Sequence, residues 1–290
     1  MLIFRLLRSS HWVKNLYVFA PLFFGGHFLV KTELVNSTIT FLLFSLAASS
    51  IYILNDIKDI REDRIHPQKK TRPIASGQIS IRAARLIMAF LAITTLILTI
   101  LFDFQVFVII ASYLLLNVLY TYSLKHIPIV DISVIALGFV LRILAGGLAT
   151  GIILSHWLLI MVYLLSLFLA IAKRRDDLVL IDANITSSEV RKSISGYNLD
   201  FINAAISVLS ALIIVCYIMY ITSQEVLDRL NFPHAYFTLT FVLSGILRYL
   251  QLTLVDKKSA SPTDVLIKDR FIQITVLLWI LSFTYILYFN

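Results

Sequence analysis

The sequence predicts an all-α integral membrane protein with about nine transmembrane helices. Of its 290 residues, 59% are hydrophobic and only 14% are charged, whereas a soluble domain carries about 25% charged residues. The apolar residues form long runs, each close to the ~20 residues that a helix needs to cross a bilayer. Because backbone groups in lipid must be hydrogen-bonded internally, such runs favour helices over a barrel, whose strands alternate in polarity.

A short basic segment precedes the apolar runs. Residues 1–15 mix Phe4 and Trp12 with Arg5 and Arg8, which predicts an amphipathic helix at the membrane interface. The first apolar run contains a proline and two consecutive glycines, so the pattern defines its ends poorly. We expect all the spans to form one transmembrane domain over residues 1–290. The predicted spans lie at 16–30, 38–54, 83–101, 104–122, 129–149, 154–172, 201–222, 235–252 and 271–289.

The distribution of Lys and Arg predicts how the chain is oriented. Most of the 25 basic residues fall in the N-terminal segment and in the loops after the second, fourth, sixth and eighth spans, and the opposite loops hold only Lys31 and Arg229. Basic loops remain in the cytoplasm. We therefore expect a bacterial-type plasma-membrane protein with a cytoplasmic N-terminus, cytoplasmic active-site loops and an external C-terminus. The same bias accounts for much of the net charge of +8 without a nucleic-acid partner.

Residues 55–77 concentrate charge between two apolar runs and are the strongest functional signal in the chain. In a helix, Asp56, Asp59 and Asp63 would share one face, because they are spaced i, i+3 and i+7. Three carboxylates on one face repel each other and call for a cation. Hard oxygen ligands suit Mg²⁺, which usually bridges to substrate phosphates. Asn55 adds a neutral oxygen beside this face.

The bases that follow the aspartates could hold the remaining charge of a phosphate, since Arg and Lys are the usual phosphate ligands. These bases are Arg64, Lys69, Lys70 and Arg72. The alternative interpretation is a solvated loop whose charges pair locally.

A second charged constellation begins at residues 173–177, in the loop after the sixth span. If that helix continues beyond the membrane, Lys173 and Asp177 are i, i+4 neighbours. A second acid–base patch on the cytoplasmic side is what a diphosphate substrate with Mg²⁺ would need, since both ends must be bound. For Arg174 and Arg175 alone, snorkelling at a helix end is an alternative interpretation.

A third set of polar residues lies around the inner ends of the fourth and fifth spans. Tyr122 and Lys125 end one, and Asp131 and Arg142 lie on the same side of the next. A charge inside a span is a functional candidate. Two alternatives stay open: Arg142 could form a structural pair, and Tyr122 could belong to an aromatic belt.

The first constellation resembles a known motif. Asn55-Asp56-x-x-Asp59-x-x-x-Asp63, followed by the segment Arg-Pro-Ile-Ala-Ser-Gly at 72–77, resembles the first aspartate-rich motif of the UbiA superfamily of intramembrane prenyltransferases. The resemblance covers essentially the whole chain and implies a UbiA-like helix bundle.

Three further stretches resemble the polyprenyl-phosphate phosphoribosyltransferase branch of that superfamily. They are His-Trp-Val-Lys-Asn at 11–15, Tyr-Ser-Leu-Lys-His at 122–126, and Lys-Arg at 173–174 with Asp177, then Arg191 and Lys192. The chain departs from the branch at 175–177, where Arg-Asp-Asp stands in place of an aromatic, a small residue and Glu. Either Asp176 or Asp177 could therefore be the acid of this motif.

This branch implies a reaction between phosphoribosyl pyrophosphate and polyprenyl phosphate, with Mg²⁺ as cofactor, in the synthesis of a glycan precursor. The implied catalytic residues are Asn55, Asp56, Asp59, Asp63 and Asp177, and the implied metal ligands are Asp56, Asp59 and Asp63. The implied substrate-binding residues are Lys14, Lys69, Lys70, Arg72, Tyr122, Lys125, Arg142, Lys173, Arg174, Arg191 and Lys192. We expect Lys14 to lie at the membrane surface, where it could bind the lipid phosphate.

Two other functions are compatible with a charged membrane protein of this kind. A prenyltransferase of the same fold, acting on an aromatic acceptor such as 4-hydroxybenzoate, would use the same first motif and fewer bases. A transporter would show broken helices at mid-membrane and inverted repeats, but this carboxylate cluster lies in a loop and the sequence shows no convincing repeat.

Overall fold

A computed structural model of the protein describes residues 2–66, 69–182, 196–230, 234–255, 265 and 268–289. Within these ranges the chain is helical and contains no strand, which confirms the all-α prediction. The chain divides into two compact units, Met1–Ile153 and Leu154–Asn290. That the two units act as one domain stays a prediction.

The α-helices are numbered in chain order. They are α1 Leu2–Leu6, α2 Ala20–Gly25, α3 Lys31–Lys58, α4 Ile60–Ile65, α5 Ile81–Phe102, α6 Phe104–Tyr122, α7 Val130–Thr150, α8 His156–Asp182, α9 Leu199–Thr222, α10 Gln224–Leu230, α11 Leu239–Leu250 and α12 Arg270–Tyr288. An eleven-residue 3₁₀-helix, Ser9–Phe19, precedes α2, and a π-helical turn, Gln251–Val255, follows α11.

Eight helices in the described part of the chain are long and apolar enough to cross a membrane. Seven of them are α3, α5, α6, α7, α8, α9 and α12, and the eighth runs over Ala235–Val255. The expected continuation of the sixth span beyond its apolar part is confirmed, because α8 extends to Asp182.

The first predicted span, residues 16–30, is not one long helix. The 3₁₀-helix ends at Phe19, and the following α2 has only six residues. Pro21 stands in the first turn of α2, where its missing N–H costs nothing. Gly26 ends that helix with φ +74°, a left-handed conformation that glycine adopts without strain. The count of nine long helices is therefore not confirmed.

The N-terminal segment nevertheless runs along α3 in the opposite direction. Trp12 Nε1 donates to Ser49 Oγ (3.1 Å), and Asn15 Nδ2 donates to Ser45 Oγ (2.9 Å). A 3₁₀-helix rises ~2 Å per residue, so eleven residues extend about 22 Å. The segment therefore follows about half of the length of α3, which has 28 residues, and needs fewer residues than an α-helix would.

Arg142 fastens this segment to α6 and α7. Its Nε donates to Asn15 Oδ1 (2.8 Å), its Nη1 to the Gly138 carbonyl (2.6 Å) and its Nη2 to Tyr113 Oη (3.3 Å). The guanidinium also lies over the rings of Phe44 and Tyr113, at 4.9 and 5.0 Å. Arg142 is 5% exposed, and its partners are neutral groups and aromatic rings. These contacts indicate a structural role inside the first unit.

A buried hydrogen-bonded chain links helices in the second unit. Trp279 Nε1 donates to Tyr217 Oη (2.7 Å), which lies 2.6 Å from Thr238 Oγ1. The Thr238 hydroxyl is also 2.6 Å from the Ala235 carbonyl. Buried polar groups are costly without partners, so this chain fixes how α9 and α12 meet the turn before α11.

The contact between α7 and the 3₁₀-helix generates the first prediction. A Cβ placed on Gly146 would lie 2.0 Å from the carbonyl oxygen of Val18. Gly146→Ala must therefore push the 3₁₀-helix away from α7, and overpacking of this kind costs about 1–3 kcal/mol. We expect a clear loss of thermal stability in detergent. Gly138→Ala on the same helix is the control, since its Cβ would meet Arg142 Nη1 at 3.4 Å. Equal melting temperatures for the two variants would contradict this packing.

Candidate active site at the end of α3

The aspartates of the first motif lie where α3 gives way to α4. Asp59 has φ −93° and ψ 16° and interrupts the helix between Lys58 and Ile60. Backbone bonds still follow helical spacing, from Asp59 N–H to Asn55 O (2.9 Å) and from Asp63 N–H to Asp59 O (2.8 Å). The interruption turns one carboxylate away from the other two, so the expectation that all three share one face is only partly met.

Asp56 and Asp63 converge on a single guanidinium. Arg72 Nη1 lies 3.2 Å from Asp56 Oδ1 and 2.5 Å from Asp63 Oδ2. Arg8 donates to the same Asp56 oxygen. Both aspartates are 2% exposed. Buried carboxylates need paired charges, and here two guanidinium groups supply them.

Asp59 and Asn55 face the end of α6 instead. Lys125 Nζ donates to Asp59 Oδ1 at 2.8 Å. The fully buried Thr121 hydroxyl donates to Asn55 Oδ1 at 2.5 Å. Tyr122 contributes its ring, which lies 4.9 Å from the ammonium of Lys58. Asn55 and Asp59, four positions apart in the motif, are thus each held by a partner 66 positions away.

Two carboxylates of the site, Asp56 and Asp63, match what Mg²⁺ requires of its protein ligands. Within the described ranges, no group of three or more His, Cys, Asp or Glu is placed to hold a metal ion. The oxygens of Asp56 and Asp63 nevertheless converge on one cationic nitrogen, Arg72 Nη1. Mg²⁺ is usually bound through one or two carboxylates, with waters and substrate phosphates completing its shell. The donor set therefore fits the ion, and participation of Asp59 stays a prediction.

Of the four predicted bases, one reaches the aspartates, from the loop after α4. Arg72 reaches them, whereas Arg64 Nε donates to the Ala75 carbonyl (3.3 Å) and supports the loop. Lys69 and Lys70 form no side-chain hydrogen bond or ion pair with the part of the chain that the structure describes. Their role in phosphate binding stays a prediction.

His66 stabilises the same loop in its neutral form. Burial, reinforced by the Lys69 charge, lowers the pKa of His66 below its usual value. Its ring Nδ1 accepts from the Lys69 backbone N–H at 3.3 Å. An unprotonated nitrogen is required for that bond, so the lowered pKa and the geometry agree.

Two predicted substrate-binding residues lie away from the aspartates. Lys14 falls between Trp12 and Asn15, whose partners on α3 precede Asp56 by seven and eleven residues. At 1.5 Å per residue this is about 10–16 Å deeper along the helix. The expected position of Lys14 at the membrane surface stays a prediction. Arg142 lies at the same depth with protein partners only, and substrate binding by either residue stays a prediction.

The second constellation lies in the other unit. Arg174 Nη1 is 3.5 Å from Asp177 Oδ2, so Asp177 pairs with this arginine rather than with the predicted Lys173, which is exposed. Arg175 is buried and its Nε donates to Asn203 Oδ1 at 3.0 Å, which excludes simple snorkelling for that residue. Arg191 and Lys192 lie outside the described residues.

Sequence reasoning missed two residues of the site. The sequence marks Arg8 only as part of a basic amphipathic segment and gives no signal for Thr121. The left-handed backbone of Arg8, with φ +49° and ψ +49°, costs an L-residue about 1–2 kcal/mol. No feature of the sequence predicts the left-handed conformation of Arg8. A single threonine inside an apolar helix likewise forms no pattern that would predict a site residue.

Comparison with known proteins assigns the chain to a family. The model of the UbiA prenyltransferase family matches residues 18–274. The chain belongs to this family. The resemblance read from the motifs is thereby confirmed.

Several relatives in the UbiA family carry one name. The chain is 31% identical to a decaprenyl-phosphate phosphoribosyltransferase of Mycolicibacterium smegmatis, over 98% of the chain and 92% of the relative. It is 31% identical to the protein of that name from Corynebacterium glutamicum, over 94% of the chain and 83% of the relative. A solved UbiA homolog from Archaeoglobus fulgidus, bound to GPP and Mg²⁺, matches with a TM-score of 0.70 and 16% identity over the full length of both chains. The structural match shows the fold.

Thr121 generates the second prediction. Thr121→Val keeps the side-chain shape but removes the hydroxyl that orients the Asn55 amide. Loss of an outer partner typically costs 10–100-fold in metal affinity, so we expect Mg²⁺ binding, measured by titration calorimetry, to weaken about tenfold. Thr121→Ser retains the hydroxyl and should bind Mg²⁺ like the parent protein. Unchanged affinity in the valine variant would show that Asn55 does not depend on Thr121.

Proposed function

We propose that the protein transfers a 5-phosphoribosyl group from phosphoribosyl pyrophosphate to polyprenyl phosphate. The observation that carries this proposal is the 31% identity to a decaprenyl-phosphate phosphoribosyltransferase over 98% of the chain. The geometry supports it, because basic side chains surround carboxylates at the end of α3. The reaction brings together three phosphate-bearing groups. Their negative charge requires basic side chains in addition to the metal ion that the carboxylates would hold.

The reaction requires little proton transfer. An oxygen of the lipid phosphate attacks the anomeric carbon of the ribose, the bond from that carbon to the pyrophosphate oxygen breaks, and pyrophosphate leaves with the bonding electrons. The products are polyprenyl-phosphoryl 5-phosphoribose and pyrophosphate. The acceptor is already an anion, so no strong general base is needed. Catalysis then depends on orientation and on stabilising the charge of the leaving group.

Asp56 and Asp63 are the residues that would hold Mg²⁺, with Asp59 and Asn55 beside them. When bound, the ion would neutralise charge on the departing pyrophosphate. Arg72 contacts both carboxylates and is placed to bind the same phosphates. Lys125, which pairs with Asp59, is a candidate for the lipid phosphate.

The remaining predicted ligands keep their proposed roles. Lys69 and Lys70 would bind phosphate groups from the loop after α4. In the second unit, Lys173, Arg174, Arg191 and Lys192 would do so, with Asp177 as the acid of the second motif. We also propose that these loops face the cytoplasm, since most Lys and Arg lie on that side of the predicted spans.

The alternative is transfer of a prenyl group from its diphosphate to an aromatic acceptor. It is supported by the family to which the chain belongs and by the fold shared with a homolog bound to GPP. The relatives that match over nearly the whole chain do not carry that activity in their names, so we rank it second.

A transfer assay tests the proposal. Purified protein in detergent is incubated with Mg²⁺, polyprenyl phosphate and radiolabelled phosphoribosyl pyrophosphate, and the lipid is extracted. We expect label in the lipid phase, and we expect EDTA to abolish it because the leaving group loses its counter-ion. Absence of label, together with prenyl transfer from a polyprenyl diphosphate to 4-hydroxybenzoate, would establish the alternative.

Substitution of the aspartates tests the site. Asp56→Asn and Asp59→Asn each remove a charged oxygen ligand with little change of shape, so we expect transfer to fall at least a hundredfold while the proteins stay folded. The matched control is Glu225→Gln, which removes an exposed carboxylate on α10 and should leave transfer unchanged. Full activity in both aspartate variants would exclude the metal site.

A further inference from the structure

A cavity of about 560 Å³ lies beside the aspartates of the first unit. It is bounded by the N-terminal segment on one side and by residues 71–73 on the other. Three arginines line it, Arg5, Arg8 and Arg72, together with a single carboxylate, Asp56. The hydroxyl-bearing residues Ser9 and Ser10 line it as well. Such a wall has a net positive charge and many hydrogen-bond donors, which is the chemistry that binds phosphate.

Only part of the hydrogen-bonding capacity of the Arg8 guanidinium is taken up by contacts within the described chain. Its hydrogen bond runs from Nη2 to Asp56, and one face lies 5.2 Å from the ring of Tyr52. A guanidinium has five N–H donors in a fixed fork. In the part of the chain that the structure describes, no other acceptor receives one from Arg8. Arg72 likewise donates to the two aspartates through Nη1 alone. Both arginines therefore present spare donors to the cavity they line.

The backbone of Arg8 is strained, which indicates that an arginine side chain is required at this position. Its φ of +49° belongs to the left-handed region, which glycine adopts without strain and arginine adopts only at an energetic cost. Within the described ranges only Ile129 shares a positive φ among residues other than glycine. Strained residues concentrate at ligand sites, because surrounding contacts hold them in place. Here the strain brings a guanidinium to a buried carboxylate and an open cavity.

We propose that this cavity is a phosphate subsite in which Arg8, together with Arg72, binds an oxyanion of the substrate. The inference rests on the proposed function and adds a ligand to it. The chemistry is a phosphate group, carried either by polyprenyl phosphate or by phosphoribosyl pyrophosphate. Apolar surface adjoins the cavity, since Phe4 lines it and is 63% exposed. A charged pocket beside exposed apolar side chains suits a lipid phosphate at the membrane interface.

Direct binding measurements separate this role from the metal site. Dissociation constants for phosphoribosyl pyrophosphate and for a short-chain polyprenyl phosphate are measured on the full chain in detergent with EDTA, where Mg²⁺ cannot contribute. Arg8→Gly is the principal variant, because glycine suits the left-handed backbone while the guanidinium is lost. Arg8→Lys keeps the charge without the fork. Arg85→Gln removes an exposed arginine at the start of α5 and controls for net charge.

We expect Arg8→Gly to weaken binding of at least one ligand tenfold or more, Arg8→Lys to recover part of the loss, and Arg85→Gln to stay within twofold of the parent. Loss confined to polyprenyl phosphate identifies the lipid as the source of the phosphate, and loss confined to the other ligand identifies the soluble substrate. In transfer assays with Mg²⁺, the KM for the affected substrate should rise most in Arg8→Gly, less in Arg8→Lys and least in Arg85→Gln.

Both dissociation constants within twofold of the parent, in a folded Arg8→Gly protein with an unchanged circular-dichroism spectrum, would overturn the subsite. A fall in kcat alone would do the same, because Arg8 would then act only through Asp56. A parent protein that neither binds the two ligands nor transfers label would overturn the proposed function, and the subsite with it.

Discussion

Burial of carboxylates at the end of a membrane helix is the constraint on which the rest of the site depends. An ionised carboxylate withdrawn from water must find positive charge or donors nearby. Asp56 and Asp63 find both in Arg8 and Arg72, one from the chain's first residues and one from the loop after α4. The N-terminal segment and this loop are therefore parts of the site, although neither belongs to a long helix.

The sequence was sufficient to predict what local pattern determines. The eight long helices in the described part of the chain all correspond to predicted apolar runs, since span length follows from bilayer thickness. The periodic spacing of the aspartates predicts a motif, and Arg72 is a candidate because it is a base that closely follows these acids in the chain. The loop's position at the end of α3 follows directly from those two features.

Contacts between distant residues could not be predicted in this way. Arg8 meets Asp56 across 48 positions, Thr121 meets Asn55 across 66, and Arg142 meets Asn15 across 127. Each partner is an ordinary residue in its own segment, so no periodicity reveals it. The 3₁₀-helix has the same cause: Asn15 and Trp12 bond to α3 and α7 through tertiary contacts that outweigh local preference. Asp59 turned to Lys125 for a similar reason.

Arg142 has an influence that reaches beyond its own contacts. Among the residues that the structure describes, no carboxylate neutralises it, so a full positive charge lies within the first unit. Arg142 contacts Asn15, whose partner Ser45 precedes Asp56 on α3 by eleven residues, a rise of about 16 Å. At an effective dielectric constant of about 20, a unit charge attracts an anion at that separation by about 1 kcal/mol. This charge favours the binding of an anion near Asp56 roughly fivefold, without contacting the anion.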